Sequence, residues 1–153
     1  MKIGVLSDTH SLLRPAVLPL LAGSDHILHL GDVGDPEILS KLSQLAPITA
    51  IRGNIDTYGP CSSLPETEVA VLAGHHFYML HDVHQLDLDP AAAGFAAILF
   101  GHSHKPEIRH HKGILYMNPG SCGPRRFELP ITCGQIVIKE NGQIEAYILN
   151  LPI

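Results

Sequence analysis

Acidic, amide and imidazole side chains stand in short clusters along this chain: Asp8-Thr9-His10, Gly31-Asp32, Gly53-Asn54, His81-Asp82 and Gly101-His102-Ser103-His104, with Asn118-Pro119-Gly120-Ser121 behind them. Mixed oxygen and nitrogen donors with no thiolate suit manganese, iron, zinc or nickel rather than copper(I) or iron–sulfur chemistry. Each of the first five clusters follows an apolar run that reads as a strand, and open α/β sheets place their ligands at strand ends. The expectation is that Asp8, His10, Asp32, Asn54, His81, His102 and His104 converge on one edge and hold two divalent ions.

Taken singly, the pieces stay open. Asp8 and His10 fall on the same side of an extended strand end, so carboxylate and imidazole can approach one ion together, but the pair also reads as a hydrogen-bonded loop. Gly31-Asp32 and Gly53-Asn54 are common turn dipeptides as well as strand-end donors with glycine allowing close backbone approach. Two imidazoles at a spacing of two, after Ala96-Ala97-Ile98-Leu99-Phe100, have little to offer packing and point more directly to a metal.

The elements that must position these groups alternate at first. Lys2 to Leu6, His26 to Leu30 and Pro47 to Arg52 read as strands. Arg14 to Leu21 reads as a short helix stopped by Gly23, with Pro15 in its first turn. Pro36 to Leu45 has apolar residues at helical spacing and Asp35 as an N-cap. Beyond the loop from Gly53 to Pro65 the chain turns strand-rich. Thr67 to Leu72 and Phe77 to Leu80 form a hairpin around Ala73-Gly74-His75-His76, and Asp89 to Ala93 makes a helical turn or two before Gly94. Ala96 to Phe100, Glu107 to His110, Ile114 to Asn118, Gln135 to Lys139 and Ile144 to Leu149 follow, with Gly113 and Asn141-Gly142 marking turns. Two stacked sheets with helices outside are expected.

Composition narrows the classes. At 153 residues the chain reads as one domain, 1–153, without repeats or low-complexity tracts. A net charge of −5 with no basic tract argues against nucleic acid as a partner. No apolar stretch is long enough to span a bilayer, and Met1 to Asp8 lacks a secretory pattern, so a cytoplasmic location is expected. Cys61, Cys122 and Cys133 lack CxxC spacing and read as reduced thiols.

In order and setting the clusters resemble the calcineurin-like metallophosphoesterase superfamily, most closely its small YfcE/MJ0936-like phosphodiesterases, from Ile3-Gly4-Val5-Leu6-Ser7-Asp8-Thr9-His10 to Asn118-Pro119-Gly120-Ser121. The resemblance implies an α/β fold of two facing mixed β-sheets flanked by helices, a four-layer sandwich. It implies one ion on Asp8, His10, Asp32 and His104, and a second on Asp32, Asn54, His81 and His102. Asp32 would bridge them through its two oxygens, at the roughly 3.5–4 Å of two-metal sites. Two such ions against two carboxylates leave about +2, which suits a phosphate ester anion. The implied reaction is attack of a metal-activated water on phosphorus, with a small phosphate ester as substrate.

Asp32 and Asn54 thereby take catalytic roles. Arg125, after Pro124, reads either as a group gripping a phosphoryl oxygen or as a surface arginine. Some positions depart from the family. Ile55 stands where larger members carry a proton-donating histidine, Asp82 replaces the usual glycine after His81, and Val83 to Phe95 is short. Asp82 reads either as a partner orienting His81 or as an exposed loop residue. Phosphomonoesterase or nucleotide hydrolase activity, or a non-catalytic interaction module like the retromer subunit Vps29, are the alternatives. Small members of the family often form dimers or tetramers.

Overall fold

The computed structural model describes residues 1–152. Ten strands form two five-stranded sheets. The first contains β1 (Lys2–Leu6), β2 (His26–His29), β3 (Ile48–Ala50), β9 (Thr132–Ile138) and β10 (Ile144–Asn150), in the order β10-β9-β1-β2-β3. The second contains β4 (Thr67–Leu72), β5 (His75–Leu80), β6 (Ala97–Leu99), β7 (Glu107–His111) and β8 (Ile114–Asn118), in the order β4-β5-β6-β8-β7. Both sheets are mixed: β1, β2 and β3 run parallel, as do β5, β6 and β8.

Alternation along each strand builds the layers. Ile3, Val5, Leu28 and Leu30 from one sheet meet Phe77, Met79, Ala97, Leu99, Leu115 and Met117 from the other in a central core. Leu6 and Ile27 face outward against Val17 and Leu21 of α1 (Val17–Leu21) and Ile38 and Leu42 of α2 (Glu37–Ser43). Leu80, Ile98, Phe100, Ile114 and Tyr116 face the opposite way and are covered by Val83, Leu86 and Phe95, around α3 (Pro90–Ala93). Strands covered on both faces read as continuous apolar runs, which is why these were legible.

The elements depart from expectation at their ends. Helix α1 begins at Val17 because Arg14 and Pro15 make a turn whose carbonyls accept from Val17 and Leu18. Pro19 then falls in the first helical turn, where its missing N–H costs no bond. The N-cap of α2 is Pro36 rather than the expected Asp35, which stands one residue earlier and accepts the Glu37 amide at 2.9 Å. Strand β3 ends early since the Arg52 amide turns to the Pro65 carbonyl. The β4–β5 hairpin closes on two residues, Ala73 and Gly74, both at positive φ, so His75 and His76 belong to β5. Strand β9 starts at Thr132, ahead of Gln135, because its pairing with β10 extends to Asn150.

Candidate metal centre

Parallel pairing aims the C-terminal ends of β1, β2, β3, β5 and β6 at one edge, and the loops leaving them carry all seven predicted donors there. Asp8 and His10 do not arrive by strand alternation. The loop after β1 folds back through left-handed residues, with φ of 58° at Asp8 and 44° at His10. Asp32, His102 and His104 also sit at positive φ, 56°, 72° and 64°. Such backbone costs on the order of 1–3 kcal/mol per residue and persists only where its surroundings enforce it.

Those surroundings are hydrogen bonds between loops. The amides of Asp8, His10 and Ser11 donate to the carbonyls of Gly31, Asp32 and Val33. The Gly101 amide donates to the His81 carbonyl, and Ser121 Oγ donates to the Asp8 carbonyl. Asn118 Nδ2 holds the Gly101 carbonyl at 3.0 Å. Gly31, at φ +99°, has no room for a side chain, since a Cβ there would lie 2.7 Å from His81 Nδ1.

Each carboxylate is divided between scaffold and centre. Asp8 Oδ2 accepts from Ser7 Oγ at 2.6 Å and from the His102 amide at 3.1 Å. Asp32 Oδ1 accepts the Ile55 amide at 3.0 Å. The other oxygens face imidazoles. Asp8 Oδ1 lies 3.6, 3.7 and 3.4 Å from Nε2 of His10, His81 and His104. Asp32 Oδ2 lies 3.3 Å from both His10 and His81. His81 Nδ1 is 2.7 Å from the Leu30 carbonyl, an obligate acceptor, so Nδ1 carries the proton and Nε2 offers its lone pair inward. His102 Nδ1 and Asn54 Oδ1 are paired at 3.1 Å on the more exposed side.

Asp8 Oδ1, His10 Nε2, His81 Nε2 and both ring nitrogens of His104 are buried without a hydrogen-bond partner. Buried polar atoms are normally paired, so a cluster of orphans turned toward one another calls for a ligand. Separations of 3.3–3.7 Å are too long for good hydrogen bonds. They approach the spacing of about 3.0–3.4 Å between two donors on one ion with bonds of about 2.1 Å. Asp8, His10 and His104 form one group of donor atoms within 4.8 Å of one another, and Asp8, Asp32 and His81 form another. The residues fit divalent metal.

Electrostatics agree with that demand for positive charge. Burial would raise the Asp8 and Asp32 carboxyls, but the surrounding imidazoles outweigh it and hold both well below the usual carboxylate range. Asp32, then Asp8, raise His10 to about 9. Burial opposes the same effect at His81, whose pKa is still raised by the two carboxylates. Metal binding must displace these protons.

Residues 1–141 match the model of the calcineurin-like phosphoesterase superfamily domain. The chain belongs to this superfamily. A probable metallophosphoesterase of Methanothermobacter thermautotrophicus is 38% identical over 133 residues, covering 79% of this chain and 77% of that protein. Phosphodiesterase MJ0936 of Methanocaldococcus jannaschii is 27% identical over 142 residues, covering 80% and 84%. The structure of vacuolar protein sorting 29 from Cryptosporidium parvum shares the fold with a TM-score of 0.77 at 16% identity, covering 96% and 95%. That last likeness concerns the fold alone, so within the phosphoesterase superfamily the side chains at the strand ends must decide function.

Other side chains fall differently around this phosphoesterase centre. Arg125 is not brought to it: its guanidinium donates to the Leu129 carbonyl at 3.1 Å within its own exposed loop. Asp82 does not touch His81; it caps the turn at Val83–Gln85 by accepting the His84 amide. Asp56 was not singled out from sequence, yet it is buried and accepts the amides of Val33, Gly34 and Gly53 at 3.1, 3.0 and 2.9 Å. It thereby ties the loop of Asp32 to the loop of Asn54. Its signal was an aspartate two residues beyond Asn54 in a glycine-containing loop, where unpaired amides need an acceptor.

His29 also lies behind the centre, fully buried on β2. Thr9 Oγ1 donates to the Val33 carbonyl and so accepts from His29 Nε2 at 3.0 Å, while His29 Nδ1 accepts the Gly31 amide at 3.2 Å. Burial pushes its pKa down to about 4. Between about pH 6.5 and 4 the unfolded chain therefore binds a proton that the folded chain refuses. The stabilisation is complete above that window and lost as pH falls through it, on the order of 3 kcal/mol. The raised pKa values of His10 and His81 act above this range, and the depressed carboxylates below it. Urea unfolding of metal-free protein across the window should show this loss, and His29→Gln should flatten it; equal slopes would refute the assignment.

No helix among the described residues is long and apolar enough to cross a membrane.

Proposed function

We propose that the chain is a phosphodiesterase using two divalent ions, one held by Asp8, His10, Asp32 and His104 and the other by Asp32, Asn54, His81 and His102. The observation that carries this reading is the set of buried, unpartnered donor atoms around Asp8 Oδ1. When bound, the ions would lower the pKa of water from about 15.7 toward roughly 7 and neutralise charge on the phosphoryl oxygens. The chain's own part is positional. Asp8 and Asp32 each commit one oxygen to the scaffold, which fixes the aim of the other. Asp32 would be shared between the two ligand sets; its Oδ1 already accepts the Ile55 amide, and its Oδ2, 3.3 Å from both His10 and His81, is the oxygen turned toward the centre.

A cleft of about 770 Å³ opens beside Asn54, His81 and His102 and leaves room for a second ester substituent, which favours diesters over monoesters. The relative from M. jannaschii is named a phosphodiesterase. Manganese, nickel, zinc and iron all suit the donor set. The three cysteines are buried and free, which suits a reducing, cytoplasmic setting.

The test is hydrolysis of an activated aryl phosphodiester and its monoester by protein stripped of metal and reloaded with manganese, nickel or zinc. Metal-dependent turnover with the diester ahead is expected; two bound ions without turnover of either ester would defeat the reading. A second expectation concerns the leaving group. Ile55 cannot donate a proton, and its amide is engaged by Asp32. Rates across a series of phenols should fall steeply as phenol pKa rises. A flat series would mean that another side chain protonates the departing oxygen.

A further inference from the structure

Two clefts meet at His102. The cleft of about 770 Å³ beside Asn54 and a second of about 650 Å³ share only His102 and Asp82 among the described residues, so they diverge from a side chain of the donor set. The two ester arms of a diester diverge from phosphorus in the same way. The second cleft is walled by Val83, Phe100, Pro106 and Leu129, with Ser103 beside His102. Ser103 stands between the donors His102 and His104, and its hydroxyl is anchored from the protein side. Asn118, fully buried at the end of β8, donates through Nδ2 to Ser103 Oγ at 3.1 Å, and the Lys105 amide donates to the same oxygen at 3.2 Å. The Asn118 amide has one orientation, since Oδ1 accepts the Gly120 amide at 2.9 Å while Nδ2 also reaches the Gly101 carbonyl. A hydroxyl has two lone pairs and one hydrogen. Both lone pairs of Ser103 are taken, and no acceptor among the described residues takes the hydrogen. The hydroxyl is therefore left as a donor only, on the exposed wall of the second cleft.

Resting on the phosphodiesterase reading of the centre, we propose that the leaving alcohol of the diester lies in this second cleft and that Ser103 is a catalytic residue, donating a hydrogen bond to the departing oxygen. The retained arm lies in the larger cleft. As water's oxygen forms the new bond to phosphorus, the electron pair of the breaking P–O bond goes to the alcohol oxygen. The Ser103 hydroxyl is too weak an acid to surrender its proton, so it stabilises that charge without neutralising it, and the proton lost by the attacking water reaches the alcohol through solvent. The contact strengthens with the charge on the departing oxygen, and so acts in the transition state more than in the bound ester. The apolar walls of the cleft favour an apolar or aromatic leaving alcohol.

The test is turnover of methyl aryl phosphate diesters, with leaving groups from para-nitrophenol to phenol, by metal-loaded wild type, Ser103→Ala and Ser103→Thr. Alanine should cost at least about tenfold on methyl phenyl phosphate, whose leaving oxygen carries the most charge, and no more than about twofold on the para-nitrophenyl ester. The dependence of rate on phenol pKa thus steepens in Ser103→Ala, and Ser103→Thr, which keeps the hydroxyl, should restore the wild-type slope. Bound metal should be equal in the three proteins, because Asn118 still holds the Gly101 carbonyl in each. A loss of equal size across the series, or a loss of bound metal, means that Ser103 only holds its loop and overturns the proposal, as does no loss at all. Wild-type turnover with parallel slopes in the variants defeats the role of Ser103 and leaves the phosphodiesterase standing. Wild type that turns over none of the diesters defeats the phosphodiesterase reading, and the role of Ser103 falls with it.

Discussion

With the two-ion centre proposed above, replacing Asp32 with alanine is expected to lower metal-dependent hydrolysis by at least about a thousandfold and to cut the bound metal to one ion per chain or fewer. Losing a single preorganised contact to developing charge commonly costs about a hundred- to a thousandfold. Asp32 does more than that, because its Oδ2 lies 3.3 Å from both His10 and His81, which belong to different ligand sets in the proposed centre. The variant also frees the Ile55 amide, which could loosen the Asn54 loop. Asp32→Asn separates the two effects: its amide oxygen can keep the Ile55 contact while the charge is gone. Activity should vanish in both variants, with the melting temperature of metal-free protein better preserved in Asp32→Asn. Metal analysis and turnover decide the matter, and two tightly bound ions with activity within tenfold of wild type would end the bridging role.

Much of this arrangement was legible from sequence because it follows from strand ends. Apolar runs covered on both faces mark β1, β2, β5 and β6, and parallel pairing then forces whatever follows them to one edge. What could not be read was how the loops turn. Left-handed backbone at Asp8, His10, Asp32, His102 and His104 has no propensity signal, since these residue types adopt it only when the surrounding hydrogen bonds impose it. Arg125 shows the converse. Its place four residues after Ser121 suggested nearness to the centre, but Ser121 turns inward to the Asp8 carbonyl while the following loop folds on itself. His29 belongs to none of the donor clusters, and nothing in its sequence neighbourhood shows that it is fully buried behind Thr9 and Gly31.

The same division explains why the centre can be both strained and well defined. The atoms left for metal, Asp8 Oδ1 and Asp32 Oδ2, belong to carboxylates whose other oxygens are fixed by Ser7, His102 and Ile55. Each donor is thus positioned by backbone before an ion arrives, so binding energy need not be used to order the loops. Preorganisation of this kind depends on whatever holds the loops to each other, and for Asp32 and Asn54 that is Asp56.

Asp56→Ala is accordingly expected to be among the most damaging substitutions outside the donors. The carboxylate is 3% exposed and its charge is met by three backbone amides, from Val33, Gly34 and Gly53. Alanine leaves those amides without an acceptor, at about 1–3 kcal/mol for each that water cannot reach. Allowing for water entering the space, a loss of about 3–5 kcal/mol is expected, which lowers the melting temperature by roughly 10 °C or more. Asp56→Asn keeps one acceptor oxygen but turns an NH2 group toward a donor, so it should fall between alanine and wild type. Metal affinity should drop along with stability, because Gly53 and Val33 sit next to Asn54 and Asp32 in the chain. Thermal unfolding of the metal-free proteins and metal titration of the loaded ones measure the two effects separately. If stability stays within 1 kcal/mol of wild type while metal binding collapses, Asp56 acts on the centre by its charge and the tie between the loops is of little consequence.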